Sequence, residues 1–170
     1  MLKVKEIRIN NLKNPSGVPE CPYFSWILES DRKNVMQRAY RLQITEALSG
    51  RNCYDSGWVN SAESTYVKAE VSFRSQTKYD VQVQVRDDRE ESLPSGKSYF
   101  VTGILATEEW SADFISAESE KDSGNSKGTY VRKQICAREE IESAYACTTA
   151  LGLYHFYING RKVGECCSAD

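Results

Sequence analysis

Lys78-Tyr-Asp-Val-Gln-Val-Gln-Val-Arg86 decides how this chain folds. Tyr79, Val81, Val83 and Val85 alternate without a break against Lys78, Asp80, Gln82, Gln84 and Arg86. Side chains on a strand point to opposite faces with a period of two. Such a run therefore reads as an antiparallel strand with one dry and one wet face. Working outward, Tyr40, Leu42 and Ile44 alternate with Ala39, Arg41, Gln43 and Thr45. Phe24, Trp26 and Leu28 alternate with Ser25, Ile27 and Glu29. Shorter patterns at 4–9, 53–59, 65–71 and 98–104 complete a set of seven strands within about 105 residues.

Turn chemistry separates these runs at Asn14-Pro15-Ser16-Gly17, Ser49-Gly50-Arg51-Asn52 and Leu93-Pro94-Ser95-Gly96. Phe73-x-x-x-Thr77-x-Tyr79 is similar to a tyrosine corner, in which the phenol bonds to backbone upstream of the strand. The fold class is therefore all-β, with a fibronectin type III or immunoglobulin-like sandwich over residues 1–105.

Beyond Leu105 the texture changes. Trp110-Ser-Ala-Asp-Phe-Ile115 opens a second unit, 106–170, and a polar stretch at 116–128 predicts a solvated loop. Strand-like runs resume at 129–136 and 144–151, with 137–143 read as a connection. Asn159-Gly160 then sits between two apolar arms, 151–158 and 161–165. That dipeptide supplies the two positive-φ residues of a type I′ turn, so the arms read as a tight hairpin. Apolar residues occupy both faces of this ribbon, and two strands cannot bury both faces alone. The expectation is a partial, jelly-roll-like second sandwich whose remaining strands lie elsewhere.

Composition narrows the functional classes. A net charge of −2 gives no electrostatic case for nucleic acid or an anionic membrane. No run approaches the roughly 18 apolar residues of a membrane span. The first ten residues lack a signal-peptide core, which makes the cytoplasm the expected compartment. Six cysteines and one histidine form no CxxC pair and no ligand spacing, so reduced thiols and no metal or other cofactor are expected.

The order of several short pieces resembles the amino-terminal region of bacterial α-L-rhamnosidases. These are Pro22-Tyr-Phe-Ser-Trp-Ile-Leu-Glu-Ser30, Gln37-Arg-Ala-Tyr-Arg-Leu-Gln-Ile44, Asp55-Ser-Gly-Trp-Val-Asn-Ser61, Phe100-Val-Thr-Gly103, Trp110-Ser-Ala-Asp-Phe-Ile115 and Tyr130-Val-Arg-Lys133. The closing Ala-Leu-Gly-Leu-Tyr and Ile-Asn-Gly segments follow in the same order. Tyr54, Val81 and Phe114 depart from the pattern by replacing tryptophans with other apolar groups. The resemblance implies a fibronectin-like module leading into a second sandwich. It also implies a downstream (α/α)₆ barrel as partner, which would hydrolyse terminal α-L-rhamnosides with inversion. On that reading the chain is a non-catalytic amino-terminal scaffold. The alternative is a stand-alone module that binds a carbohydrate or a protein.

No residue is assigned a catalytic role. Inverting glycosidases place an acid and a base about 6.5–9.5 Å apart around one sugar. The acidic pairs Asp87-Asp88, Glu90-Glu91, Glu108-Glu109 and Glu139-Glu140 instead read as solvated loops. His155 reads as a structural imidazole in a hairpin arm, and Asp55-Ser56-Gly57 as an interstrand turn rather than a cation loop. Trp58 and Trp110 are the candidate carbohydrate contacts, because each sits near an element end beside polar residues and an indole face stacks on a pyranose. The competing reading for both is burial at a strand edge or, for Trp110, packing at the domain junction. Trp26 is assigned to the core.

Overall fold

A computed structural model describes residues 2–87, 89, 92, 98–116, 128–136, 140–141 and 144–168, with side chains described as far as Val163. The Leu93–Gly96 turn, the bulk of the polar stretch at 116–128, most of the 137–143 connection, and Asp88, Glu90, Glu91 and Glu139 lie outside the described residues. The chain divides into two compact units, Met1–Trp110 and Ser111–Asp170.

The first unit is a two-sheet sandwich. Its strands are β1 (Leu2–Ile9), β2 (Ser16–Val18), β3 (Tyr23–Ser30), β4 (Ala39–Glu46), β5 (Asn52–Asp55), β6 (Val67–Lys68), β7 (Lys78–Arg86) and β8 (Ser98–Thr102). One sheet has the order β1-β3-β6 and the other β2-β8-β7-β4-β5. The decisive stretch forms β7 at the centre of the larger sheet, paired antiparallel with β4 along its whole length and with β8. Tyr79, Val81, Val83 and Val85 are at most 1% exposed. From the opposite sheet Leu2, Val4, Ile7, Ile9, Phe24 and Trp26 close the same core.

In β1 the alternation of the sequence breaks at Lys5-Glu6, and the fold corrects it. Val4 pairs with Leu28 and Glu6 with Ile27, so β1 spends one extra residue there. That bulge returns Ile7 and Ile9 to the face already occupied by Leu2 and Val4.

The tyrosine corner forms as the sequence predicts. The Arg74 backbone N–H donates to the Tyr79 hydroxyl at 2.9 Å, while the ring stacks on Phe100 and meets Phe73 edge-on. The Thr102 hydroxyl donates to the Arg74 carbonyl and accepts from the Thr77 N–H, so the corner is bonded from both sides.

Three segments of this unit differ from the sequence reading. Ser16–Val18, read as part of a turn, continues into a short strand parallel to β8. The 53–59 run narrows to Asn52–Asp55, because Gly57 takes φ +60° and Val59 then rejoins β4 by a single bridge to Tyr40. The 65–71 run narrows to Val67–Lys68, since Tyr66 takes φ +56° and the Val71 N–H turns back onto the Ala69 carbonyl.

The second unit contains β9 (Leu153–Ile158) and β10 (Arg161–Ser168), an antiparallel pair. Asn159 and Gly160 have φ +49° and +78°, as a type I′ turn requires. Register slips between Val163 and Cys167, where β10 takes four steps against two on β9. The described parts of 129–136 and 144–151 are not strands, contrary to the expectation. A strand exists only where its backbone groups find a ladder partner. Tyr130 and Ile135 are 99% and 80% exposed, so among the described residues no element covers them.

Candidate functional site

Trp58 lies between β5 and β6, one residue before the Val59 bridge. Val59 turns to the core beside Tyr40, so Trp58 points to the wet face of the larger sheet. There it is half-buried, with the Arg86 guanidinium 4.3 Å from its ring centroid. One indole face is thus occupied by a cation–π contact within the fold. Trp110 follows a 3₁₀ turn, Thr107–Glu109, and its backbone N–H closes that turn on the Thr107 carbonyl at 3.1 Å. It too is half-buried. Among the described residues the two indoles share no ring contact with each other. Trp26 is core, as expected, and only 3% exposed.

Asp55 is held as an interstrand anchor. Arg41 grips it with two hydrogen bonds, at 2.9 and 2.5 Å, and Gln43 and the Gly57 N–H add two more. The Arg41 guanidinium, foremost among these, holds the Asp55 carboxyl at a pKa of about 2. Both carboxylate oxygens accept from donors within the fold, so Asp55 ties β5 to β4 and to the turn at Gly57. Among the described residues, no group of His, Cys, Asp and Glu is arranged to hold a metal ion. His155 is exposed on β9.

Asp87 departs from its expected place in a solvated loop. Its side chain is 1% exposed, and Oδ2 accepts from Arg32 at 2.5 Å while Oδ1 takes the Arg89 N–H. A carboxylate this deep needs a cation beside it, and Arg32 arrives from the β3–β4 link. Glu46 is likewise buried between Arg51 and Arg74, 3.3 Å from each. Glu108 and the described part of the Glu139-Glu140 pair are exposed, as read from the sequence. The buried acids Asp87 and Glu46 therefore each anchor arginines.

Two further features escaped the sequence reading. Gln37, 4% exposed, accepts the Trp26 indole N–H and donates to the carbonyls of Ser61 and Glu63. A recess of about 540 Å³ opens beside the tyrosine corner, between Phe73, Arg74, Ser75, Leu105, Glu20 and Glu109. Both its carboxylates lie on the exposed rim. Neither feature carries a local sequence signal, since Gln37 sits in an aperiodic link and the recess joins residues far apart in the chain.

Comparison with known proteins fits this architecture. The family described as "Rha78A-like, N-terminal immunoglobulin domain" matches residues 4–106. An α-L-rhamnosidase of Formosa agariphila is 27% identical over 96% of this chain, which covers 20% of that protein. One from Streptomyces avermitilis is 30% identical over 68% of the chain and 12% of its own length. Among solved structures, the Streptomyces avermitilis α-L-rhamnosidase in complex with L-rhamnose superposes with a TM-score of 0.66 at 28% identity, over 70% of this chain and 12% of that one. The α-L-rhamnosidase of Dictyoglumus thermophilum gives 0.60 at 29% identity, over 65% and 13%. The chain spans a fifth or less of each of these proteins. No helix among the described residues is long and apolar enough to cross a membrane.

Proposed function

The chain belongs to the Rha78A-like N-terminal immunoglobulin domain family, and on that premise we propose that it is the non-catalytic scaffold region of an α-L-rhamnosidase-like glycoside hydrolase. In this proposal residues 1–105 form the self-sufficient module. Residues 106–170 are the opening portion of a second sandwich that further polypeptide completes. That polypeptide would include the (α/α)₆ catalytic barrel, acting on terminal α-L-rhamnosides with inversion.

One observation carries the reading. This chain aligns over 96% of its length with a rhamnosidase of which it covers only 20%. The exposure of the second unit supports the same reading: none of its described side chains is buried, while Leu151, Leu153, Ile135 and Tyr130 are each at least 80% exposed. Apolar surface of that kind is normally covered, because each buried aliphatic or aromatic side chain contributes about 1.5–3 kcal/mol.

Trp58 and Trp110 enter the proposal as carbohydrate contacts, Trp110 with the stronger claim because Arg86 covers one face of Trp58. The same contact counts against a stand-alone carbohydrate-binding module built on both indoles.

The test is enzymatic. The 170-residue chain and the polypeptide encoded together with its downstream sequence are assayed for release of a chromogenic aglycone from an α-L-rhamnoside. Turnover is expected only from the longer protein. Turnover by the short chain would overturn the proposal, as would a reading frame that closes at residue 170 with no barrel encoded beside it.

A further inference from the structure

Tyr66 holds a backbone conformation that its side chain disfavours. Its φ is +56°, and of the eight described non-glycine residues at positive φ, five are asparagine and Tyr66 alone is aromatic. Left-handed angles crowd the Cβ of a bulky residue, whereas asparagine tolerates them. The strain does not serve burial, since Tyr66 is 63% exposed. Among the described aromatic residues of the first unit it is the one classed as exposed, more open than the half-buried Trp58 and Trp110. The Tyr66 N–H donates to the buried Ser25 hydroxyl at 3.2 Å, which fixes the backbone. Its ring leans on Tyr23, with 4.8 Å between centroids and 35° between planes. Tyr23 is itself pinned: the Asn10 side chain accepts its N–H and the Asn10 N–H donates to its carbonyl, each at 3.0 Å. One face of Tyr66 therefore rests on a fixed ring, and the other faces solvent. Strain held in place for an exposed group is a recurring mark of ligand contacts.

We propose that the Tyr66–Tyr23 pair, on the outer surface of the smaller sheet, is a stacking platform for the apolar face of a pyranose, that of an α-L-rhamnoside. The choice of sugar rests on the proposed function; the platform rests on Tyr66 and its surroundings. Partners across a ladder share a face. Tyr23 thus lies beside Lys68, and Ser25, which bonds Tyr66, lies beside Arg8. Ammonium and guanidinium donors therefore border the rings. Among the described residues neither phenol hydroxyl has a hydrogen-bond partner. These surroundings disfavour a protein partner. Among the strand residues of that face Ile27 is the one further apolar group, set between Glu6, Glu29 and Arg8. The core of a protein interface is depleted of charge and needs about 800 Å² from each side. A saccharide needs only an open aromatic face with polar groups beside it.

Titration of the isotope-labelled 170-residue chain with methyl α-L-rhamnopyranoside, followed by heteronuclear NMR, tests the platform. Saturable shifts with a millimolar midpoint are expected at the amides of Tyr23, Tyr66, Val67 and Lys68. Tyr66→Phe keeps the ring and should bind within a few-fold of the parent. Tyr66→Asn relieves the backbone and removes the ring. Its urea midpoint should equal or exceed that of the parent, while binding weakens by about tenfold. Shifts that never saturate, or that centre on Trp58 or Trp110, would overturn the platform, as would unchanged affinity in Tyr66→Asn. A lowered urea midpoint in Tyr66→Asn would show that the ring serves the fold, and would overturn it too. Rhamnoside hydrolysis by the extended protein without saturable shifts in the short chain would sink the platform and leave the proposed function standing. Saturable shifts at Tyr66 with no hydrolysis by the extended protein would support the platform and remove the functional reading.

Discussion

The indole N–H of Trp26 donates to Oε1 of Gln37 at 2.8 Å, inside the sandwich, and the same amide reaches on to the carbonyls of Ser61 and Glu63. One buried amide thereby satisfies the polar atom of a core tryptophan and fixes the long link between β5 and β6. Trp26 also tilts against Tyr40 in the facing sheet, 5.1 Å between centroids, so the bracket ties a loop to both layers.

Replacing Gln37 with Leu keeps bulk but leaves one donor and two acceptors unsatisfied. Each orphaned buried group costs about 1–3 kcal/mol, offset where water reaches the loop carbonyls. Urea unfolding should show a loss of about 2–4 kcal/mol on that basis, with a blue-shifted or broadened Trp26 emission. A loss within error of zero would show that the bracket is dispensable.

Tyr79→Phe removes only the hydroxyl that accepts the Arg74 N–H. The ring contacts with Phe73 and Phe100 survive, so the loss should be about 1–2 kcal/mol. Val83→Ala in the same strand deletes fully buried methyl groups and should cost a similar or larger amount. Chemical denaturation of both variants checks whether the corner's hydrogen bond rivals core packing.

Asp55 sets a pH dependence. Its folded pKa, about 2, lies below the ordinary value of 3.8 because Arg41 and its neighbours favour the charged form. The unfolded chain therefore takes up a proton first as pH falls. The stabilisation is fully present above about pH 4 and disappears as pH drops through 2. Its size is modest, because the Arg41–Asp55 pair is partly open to water. Asp55→Asn should unfold more readily than the parent at neutral pH, and the two should converge near pH 2 in acid titrations followed by circular dichroism. A gap that stays constant down to pH 2 would contradict the assignment.

Amide exchange should separate the units. Strand β7, paired on both sides and buried beneath, should exchange near the global unfolding limit. Amides of 129–136, which lie outside any ladder, and the outer edges of β9 and β10 should exchange much faster. Equal protection of β7 and 129–136 would mean that a partner already covers the second unit in solution.

The sequence made the first unit legible wherever a strand is flanked on both sides. Lys78–Arg86 and Ala39–Glu46 carry unbroken alternation because a central strand must bury one full face. Their ends and course were read to within a residue or so. Edge strands β2, β5 and β6 are short and bonded on one side, so positive-φ residues such as Gly57 and Tyr66 reshape them without leaving a periodic trace. The second unit was legible at its turn, where Asn159-Gly160 dictates local geometry. Its other runs were overread as strands, since an apolar pattern reports an appetite for a partner and not its presence. Buried polar groups are the least visible: Asp87 reads as a loop acid in the sequence because the Arg32 that pairs with it lies 55 positions away.

The parallel pairing of Ser16–Val18 with Val101 and Thr102 has a bearing on biosynthesis. A ribosome delivers β2 early and its ladder partner β8 after almost the entire module has been made. Until then the nascent sandwich lacks that lateral seam. Translation pausing placed before residue 101 would prolong a state open to illegitimate strand exchange, whereas pausing after β8 has cleared the exit tunnel would let the module seal itself before the apolar second unit emerges.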